Sequence, residues 1–268
     1  MTSSEVGSYE HVLSELCAEL PRVGAALRQA HQTRTARAAA LARNVRMAGL
    51  NEILLRLDKL ADAFDGTPAL SRLAFLIRRS AADFETATDA ALAGYLSVAM
   101  DAMRDVMEID ALLRDFSLDS SRIDRWLTAD PKVLMSEFAP VKVRSRLHAG
   151  HKHAPRDSAE ARDYQGHSMG LHVDPRQNPF FRKGAKGGLG LLSDVAFGEM
   201  FEHAQRLDTA IRQLAAKVAP DSAAMELASE TPKAAEKAWR ATKNSERFLK
   251  ALVEAASAED RTDFSSDV

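Results

Sequence analysis

One predicted helix in the second half of the chain carries the residue types that could do acid–base chemistry. Tyr164, Ser168 and His172 follow one another at four-residue steps, so they lie close to one face of the helix. Asp163 and His167 form a second pair of the same spacing beside them. A polar stripe of this kind is unusual among the apolar helical patterns of the surrounding sequence, and it is the first candidate for a functional surface.

Arg162 and His167 add a second pattern, an arginine and a histidine separated by four residues. A guanidinium can hold and neutralise a phosphate, while an imidazole moves a proton during attack by a ribose 2′-hydroxyl. Such a reaction needs neither a metal nor a cofactor. The alternative is a solvated helix face with one buried, hydrogen-bonded histidine, because pairs such as Arg146 and His151 have a similar spacing.

A second polar pair lies upstream, in the sequence AMRDVMEIDALLRDF. Arg104 and Glu108 stand four residues apart on one helix face, among methionines and a valine that predict a packed helix. A buried pair could fix the register of the bundle or orient the histidine helix. An exposed pair would be of little energetic consequence.

A basic segment rich in glycine and proline follows the histidine helix over residues 173–190. Basic side chains neutralise phosphates and exposed aromatic rings stack on bases, so the segment is suited to single-stranded RNA. The alternative is that Phe180 and Phe181 anchor a loop to the bundle, and that the charged side chains of this loop only keep it in contact with water. The predicted nucleic-acid-binding residues are Arg176, Arg182, Lys183 and Lys186.

A metal site is a competing interpretation of the same region. Neutral imidazoles together with Asp163 or Glu160 could bind zinc or another divalent ion. The sequence lacks the HExxH and paired ExxH patterns typical of catalytic zinc and di-iron bundles, so the preferred interpretation has no metal. The clustered histidines are His148, His151, His153, His167 and His172.

Helical periodicity runs through nearly every window of the chain, which predicts an all-α multi-helix bundle. We expect one helical domain over residues 1–256 and a flexible tail over residues 257–268. Within this domain, residues 9–64 could form an N-terminal helical hairpin that packs on a main bundle of residues 68–256. The predicted helices are 9–20, 23–64 with an interruption near MAGLNE, a long central helical hairpin within 69–116, short helices after Asp119 or Ser120 and after Asp130, one over 139–149, the histidine helix 157–172, and then 191–218 and 232–256.

Composition restricts the class of protein. The formal net charge of -2 and the pI near 6.5 argue against electrostatic attraction of nucleic acid by the protein as a whole. Any binding of nucleic acid must therefore use a local basic patch. The single cysteine, Cys17, fits a reducing compartment and an apolar helix position. No apolar stretch is long enough for a membrane helix and the N-terminus lacks signal-peptide character, so we expect a cytoplasmic protein without membrane contact.

The helices AMRDVMEIDALLRDF, RIDRWL and DYQGHSMGLHVDP resemble an uncharacterised family of bacterial all-helical proteins over about residues 70–175. That family is similar to HEPN-type helical bundles, many of which are metal-independent ribonucleases of toxin–antitoxin and phage-defence systems. The resemblance implies that Arg162 and His167 correspond to the motif arginine and histidine, with Glu108 as a polar residue from the preceding long helix. It also implies a homodimer, because such sites usually form across a two-fold axis, and it suggests an antitoxin or other protein partner.

Two function classes follow from the residues. In the first, the chain binds or cleaves RNA: Arg162 holds phosphate, His167 is the general acid/base, Glu108 or Asp163 orients it, and the remaining polar side chains of the stripe and Arg104 give support. In the second, the chain is a non-catalytic interaction module that binds a partner through the Ala- and Arg-rich helix between Arg34 and Arg56.

Overall fold

The computed structural model describes residues 8–149, Tyr164 and residues 189–243. Every regular element in these ranges is helical, and none of their residues forms a strand, which confirms the all-α prediction. The helices are α1 (Tyr9–Glu19), α2 (Pro21–Leu41), α3 (Val45–Asp65), α4 (Ala74–Ala93), α5 (Leu96–Leu118), α6 (Ser121–Leu127), α7 (Pro131–Val133), α8 (Pro140–Leu147), α9 (Leu189–Val218), α10 (Ala223–Ser229) and α11 (Lys233–Lys243).

Local chemistry sets most of the helix starts. Pro21, Pro131 and Pro140 each occupy the first helical position, where a missing backbone N–H costs nothing. The carboxylate of Asp130 accepts a hydrogen bond from the backbone N–H of Val133 at 2.8 Å and caps α7. These are the starts that the sequence predicts best.

The start of α6 shows which of two predicted residues, Asp119 or Ser120, caps the helix. Oδ1 of Asp119 accepts a hydrogen bond from the backbone N–H of Ser121 at 3.1 Å, whereas Ser120 makes no side-chain cap. Asp119 therefore supplies the local acceptor for the first turn. After α7 the chain continues into a π-helical turn, Leu134–Phe138, and then into α8.

The helix interruption predicted near MAGLNE is present, but it lies just before that stretch. The break lies at residues 42–44, where the side chain of Asn44 accepts from the backbone N–H of Arg46 at 3.0 Å and opens α3. Gly49 lies inside α3, and a Cβ there would stand 2.5 Å from the Cβ of Ala238 on α11. The glycine allows two helices to approach closely, so it marks packing and not the end of a helix.

The centre of the bundle is the antiparallel pair α4 and α5. Gly94 separates the two helices with a φ of +94°, a left-handed conformation that glycine adopts without strain. α5 packs between α4 and α9, while α3 packs on α4 and α11. Met103 and Met107 of α5 are buried, in agreement with the prediction that the methionines around Arg104 and Glu108 belong to a packed helix.

The arginines of α2 and α3 contact their own chain. Nη2 of Arg34 donates to Asp89 at 2.9 Å, and Nη1 of Arg37 donates to the backbone carbonyl of Ala91 at 2.5 Å, near the carboxyl end of α4. Arg56 pairs with Asp208 of α9 at 2.7 Å. These side chains dock helices within the bundle, which gives each of them an intramolecular role in the segment predicted to bind a partner.

α3 contributes directly to the core, so the N-terminal helices divide into two groups. Leu50, Ile53 and Phe64 of α3 belong to the buried apolar cluster, and Glu52 accepts from the backbone N–H of Ala235 at 2.7 Å, capping the first turn of α11. The hairpin of α1 and α2 rests on the bundle through contacts of α2 with α4. None of the described helices is long and apolar enough to cross a membrane.

Candidate functional site

Tyr164 is anchored on the polar pair of α5. Nη2 of Arg104 donates to the Tyr164 hydroxyl at 2.7 Å, and that hydroxyl donates to Oε1 of Glu108 at 2.9 Å. Nη2 of Arg104 also lies 3.4 Å from the same Glu108 oxygen. The three side chains therefore form a closed polar cluster, which we call the Tyr164 clamp.

The clamp is partly shielded from water. The Arg104 and Glu108 side chains are 28% and 33% exposed, which lies between the buried and the exposed interpretation of this pair. Burial lowers the pKa of Arg104, but the hydrogen bond that Arg104 donates to Tyr164 and the charge of Glu108 more than offset it, so the pKa is raised. The arginine therefore remains a cation at every physiological pH.

A second cation covers the aromatic ring of Tyr164. The guanidinium carbon of Arg144 on α8 lies 3.8 Å from the ring centroid, and that of Arg104 lies 4.9 Å from it. Cation–π contacts of this kind hold an arginine beside a ring without neutralising its charge. Within the part of the chain that the structure describes, no carboxylate pairs with Arg144.

A buried aspartate fixes the helix that carries Arg144. Asp115 on α5 is 0% exposed, and it accepts from Nε and Nη2 of Arg146 at 2.9 and 2.5 Å and from Nη1 of Arg122 at 2.7 Å. Arg146 also donates to the backbone carbonyl of Glu137 at 2.5 Å. The Asp115 hydrogen bonds raise the pKa of the Arg146 guanidinium. We call this set the Asp115 junction, because it holds α6 and α8 against α5.

A small cleft of about 40 Å³ opens beside the clamp. Its polar walls carry both signs of charge, and its apolar walls come mainly from α5 and α8. Arginine guanidinium groups beside a tyrosine hydroxyl can hold phosphate or ribose oxygens, and a carboxylate can orient a base or accept a proton. The polar lining residues are Glu108, Asp110, Arg114, Arg144, Tyr164 and Arg206.

An acidic group with a shifted pKa lies on the adjoining face of α4. Asp83 is half-buried and its Oδ2 has no hydrogen-bond partner. Burial and the nearby charge of Asp105 raise the pKa of Asp83 while Arg79 lowers it, and the net result is a pKa of about 6. Arg79 is held by Asp105, to which its Nε donates at 3.1 Å. Because its pKa is raised in the folded protein, Asp83 makes the free energy of unfolding depend on pH.

Of the residues predicted to form the site, the structure brings three together: Arg104 and Glu108 on α5, and Tyr164 from the predicted histidine helix. Tyr164 itself has helical backbone geometry. The other predicted residues lie outside the described part of the chain: Arg162, Asp163, His167, Ser168, His172, Arg176, Arg182, Lys183 and Lys186.

The metal alternative falls largely outside the described ranges as well. His148, just after α8, is the described member of the histidine cluster, and it is half-buried. Among the residues that can be described, no group of three or more histidine, cysteine, aspartate or glutamate side chains has the arrangement of a metal site. His151, His153 and Glu160 lie with the undescribed residues, so their predicted role stays a prediction.

Sequence reasoning missed Arg144 as part of this surface. The only signal was its place in VKVRSRL, where Arg144 and Arg146 alternate with Val143 and Ser145. The buried Val143 sets the face that α8 presents to α5, but the contact with Tyr164 joins residues 20 positions apart and depends on the Asp115 junction.

Comparison with protein-family models, with curated proteins and with solved structures finds no match for this chain.

Proposed function

We propose that the protein is a HEPN-like RNA-binding or metal-independent RNA-cleaving module. The observation that carries the proposal is the Tyr164 clamp. Tyr164 stands two residues after Arg162 and three before His167, so a contact that fixes its hydroxyl on α5 also restricts the backbone that presents the arginine and the histidine. Catalysis by positioned groups depends on such restriction.

In this proposal Arg162 binds the phosphate and His167 transfers the proton, while Glu108 or Asp163 orients the histidine. Oε1 of Glu108 is occupied by the clamp, and Oε2 receives no hydrogen bond from the described residues. A carboxylate with one oxygen fixed and the other open can accept an imidazole N–H and hold the ring in one orientation.

Arg144 supplies a further phosphate contact. Its guanidinium is held on the Tyr164 ring at 3.8 Å and has no carboxylate partner among the described residues, so its full charge faces the cleft. Arginine suits this role because its planar donors match phosphate oxygens. The basic segment with Arg176, Arg182, Lys183 and Lys186 would extend the contact along a single strand.

The same proposal includes a homodimer, a cytoplasmic location and a role in a toxin–antitoxin or phage-defence system, all of which come from the HEPN resemblance. Its chemistry needs no metal and no cofactor, because the arginine stabilises charge and the histidine moves protons.

The test is cleavage of a labelled single-stranded RNA by the purified protein in EDTA. We expect cleavage by the wild type and by His148→Ala, and its loss in His167→Ala and Arg162→Ala, each variant being checked for folding by circular dichroism. His148 is a matched control because it belongs to the histidine cluster but not to the proposed pair.

Two other results would favour a different function. Cleavage that EDTA and His148→Ala both abolish would favour the metal interpretation. Folded wild-type protein that neither binds nor cleaves RNA would contradict the proposal and favour a helical interaction module.

A further inference from the structure

A cavity of about 240 Å³ lies between α3, α9 and the segment that leads into α11, and it is separate in its lining from the Tyr164 clamp. Most of its walls are core side chains of α3 and α9, with Phe84 contributed by α4. Its rim includes Gln205 and Thr231, which are exposed. The cavity therefore reaches from the apolar core to solvent.

The size of this cavity is unusual for a packed helical core. Protein interiors are close-packed, and voids larger than a water molecule are few and destabilising. A cavity of about 150 Å³ lined by leucine, isoleucine and phenylalanine is known to stay free of water and to bind benzene. The present cavity is larger and its apolar walls are of the same kind, including Leu57, Phe201 and Ile211, but it also has polar lining residues and opens to solvent.

One ion pair is the most buried polar part of the cavity lining, which also includes Gln205, Thr209, Thr231 and Glu236. Nε of Arg56 donates to Oδ1 of Asp208 at 2.7 Å, and Nη2 donates to the backbone carbonyl of Ala228 at 3.2 Å. The two charged side chains are only 10% and 19% exposed. Oδ2 of Asp208 receives no hydrogen bond within the described ranges, so it can accept one from a guest.

We propose that this cavity binds an uncharged, mainly apolar small molecule of about two fused rings that carries one hydroxyl or N–H group. The apolar walls take the ring system and Oδ2 of Asp208 accepts the hydrogen bond. An anionic guest is disfavoured, because Asp208 already neutralises Arg56 and the carboxylate of Glu236 lines the same cavity. The proposal does not depend on RNA cleavage.

The direct test uses the isoleucine δ1 methyl groups of the full-length protein as reporters in NMR. The chain has five isoleucines, of which Ile53 and Ile211 line the cavity, while Ile77, Ile109 and Ile123 do not. The probes are 2-naphthol and indole as neutral guests, and 2-naphthoate as a charged guest of similar shape, all at pH 7.

We expect ring-current shifts at Ile53 and Ile211 on titration with 2-naphthol and indole, and no shift at Ile109 and Ile123. We expect 2-naphthoate to bind at least about tenfold more weakly than 2-naphthol, since its charge must be desolvated. Absence of saturable shifts with both neutral probes overturns the proposal. Tighter binding of 2-naphthoate overturns the ligand class, because Arg56 would then be acting as an anion receptor.

A cavity-filling pair of variants locates the binding. Ala204 lines the cavity and Ala216 is exposed on the same helix, so Ala204→Leu should weaken 2-naphthol binding at least about tenfold while Ala216→Leu leaves it unchanged. Equal affinity in the two folded variants would contradict the site. Should Ala204→Leu fail to fold, the smaller change Ala235→Val replaces it, and the wild-type methyl shifts decide the question independently.

Discussion

The Asp115 junction yields the sharpest prediction for stability. Replacing Asp115 by asparagine keeps the shape of the side chain but removes its charge. It also turns one acceptor oxygen into an amide group that faces the donors of Arg122 or Arg146. Three hydrogen bonds from these two arginines converge on the fully buried carboxylate, and the substitution leaves at most part of that set in place.

The size of the expected loss of stability follows from the burial of the Asp115 carboxylate. Removing one partner of a buried ion pair typically costs about 3–5 kcal/mol, because the other charge stays buried without compensation. Arg122 and Arg146 retain 28% and 27% exposure, so they can turn partly toward water. We therefore expect the free energy of unfolding to fall by about 2–3 kcal/mol, at the low end of the range or just below it.

Asp124→Asn is the matched control. Asp124 also pairs with an arginine, Arg72, but the two side chains are 76% and 55% exposed. Exposed pairs contribute about 0–1 kcal/mol, and we expect a loss within about 0.5 kcal/mol. The two variants differ in the burial of the carboxylate and not in the type of partner.

Urea unfolding at pH 7 measures both variants. Trp126 on α6 reports the packing of the junction, because its ring lies 5.6 Å from Phe116 and stacks on Phe75 at 6.0 Å between centroids. A Trp239→Phe background leaves Trp126 as the sole tryptophan. We expect a lower midpoint with an unchanged slope. A loss in Asp115→Asn no larger than in Asp124→Asn would refute the role assigned to the junction.

Two further predictions concern packing and pH. Gly49→Ala should lower the free energy of unfolding by about 1–3 kcal/mol, because the new Cβ would lie 2.5 Å from that of Ala238; Gly66→Ala, whose nearest neighbour is at 3.5 Å, should be nearly neutral in the same urea titration. Asp83→Asn should stabilise the protein by about 1 kcal/mol at pH 7 relative to wild type and lose this advantage toward pH 4, as unfolding at the two pH values would measure.

The sign of the Asp83 effect follows from the direction of its shift. The folded pKa of about 6 exceeds the usual 3.8, so the folded state binds the proton more tightly and wild-type stability falls as the pH rises through this window. An undiscounted shift of this size corresponds to about 3 kcal/mol, and partial exposure reduces it to about 1 kcal/mol. A stabilisation by Asp83→Asn that is equal at pH 4 and pH 7 would contradict the raised pKa of Asp83. Equal losses of stability in Gly49→Ala and Gly66→Ala would contradict the close packing assigned to Gly49.

Local signals in the sequence predicted much of the fold. Proline at the first helical position and the Asp130 cap depend on neighbouring residues alone, so they can be identified without tertiary structure. The four-residue spacing of Arg104 and Glu108 likewise placed both on one face of α5. α10 was not predicted, although Ser222 caps it, because seven residues are too few to show a period.

Features that depend on distant parts of the chain were not predictable. The close contact of Gly49, in the stretch MAGLNE, with Ala238 lies between two different helices, and no local pattern indicates it. Asp115 is joined to Arg146 across 31 positions, and no local spacing indicates that pair. Periodicity identifies buried residues, but it does not tell whether they fill the interior, so the cavity beside Arg56 could not be expected either.

The central claim is that the Tyr164 clamp and Arg144 form part of an RNA-binding surface. The most direct measurement is the affinity of the purified protein for a labelled single-stranded RNA across a salt series, for the wild type, Arg144→Ala and Arg78→Ala. Arg78 is the control because it is exposed and paired with Asp65, so its removal deletes one positive charge away from the clamp. We expect Arg144→Ala to weaken binding and to reduce the salt slope by about 1, while Arg78→Ala behaves as the wild type. Equal affinities and equal slopes for all three folded proteins would contradict the claim.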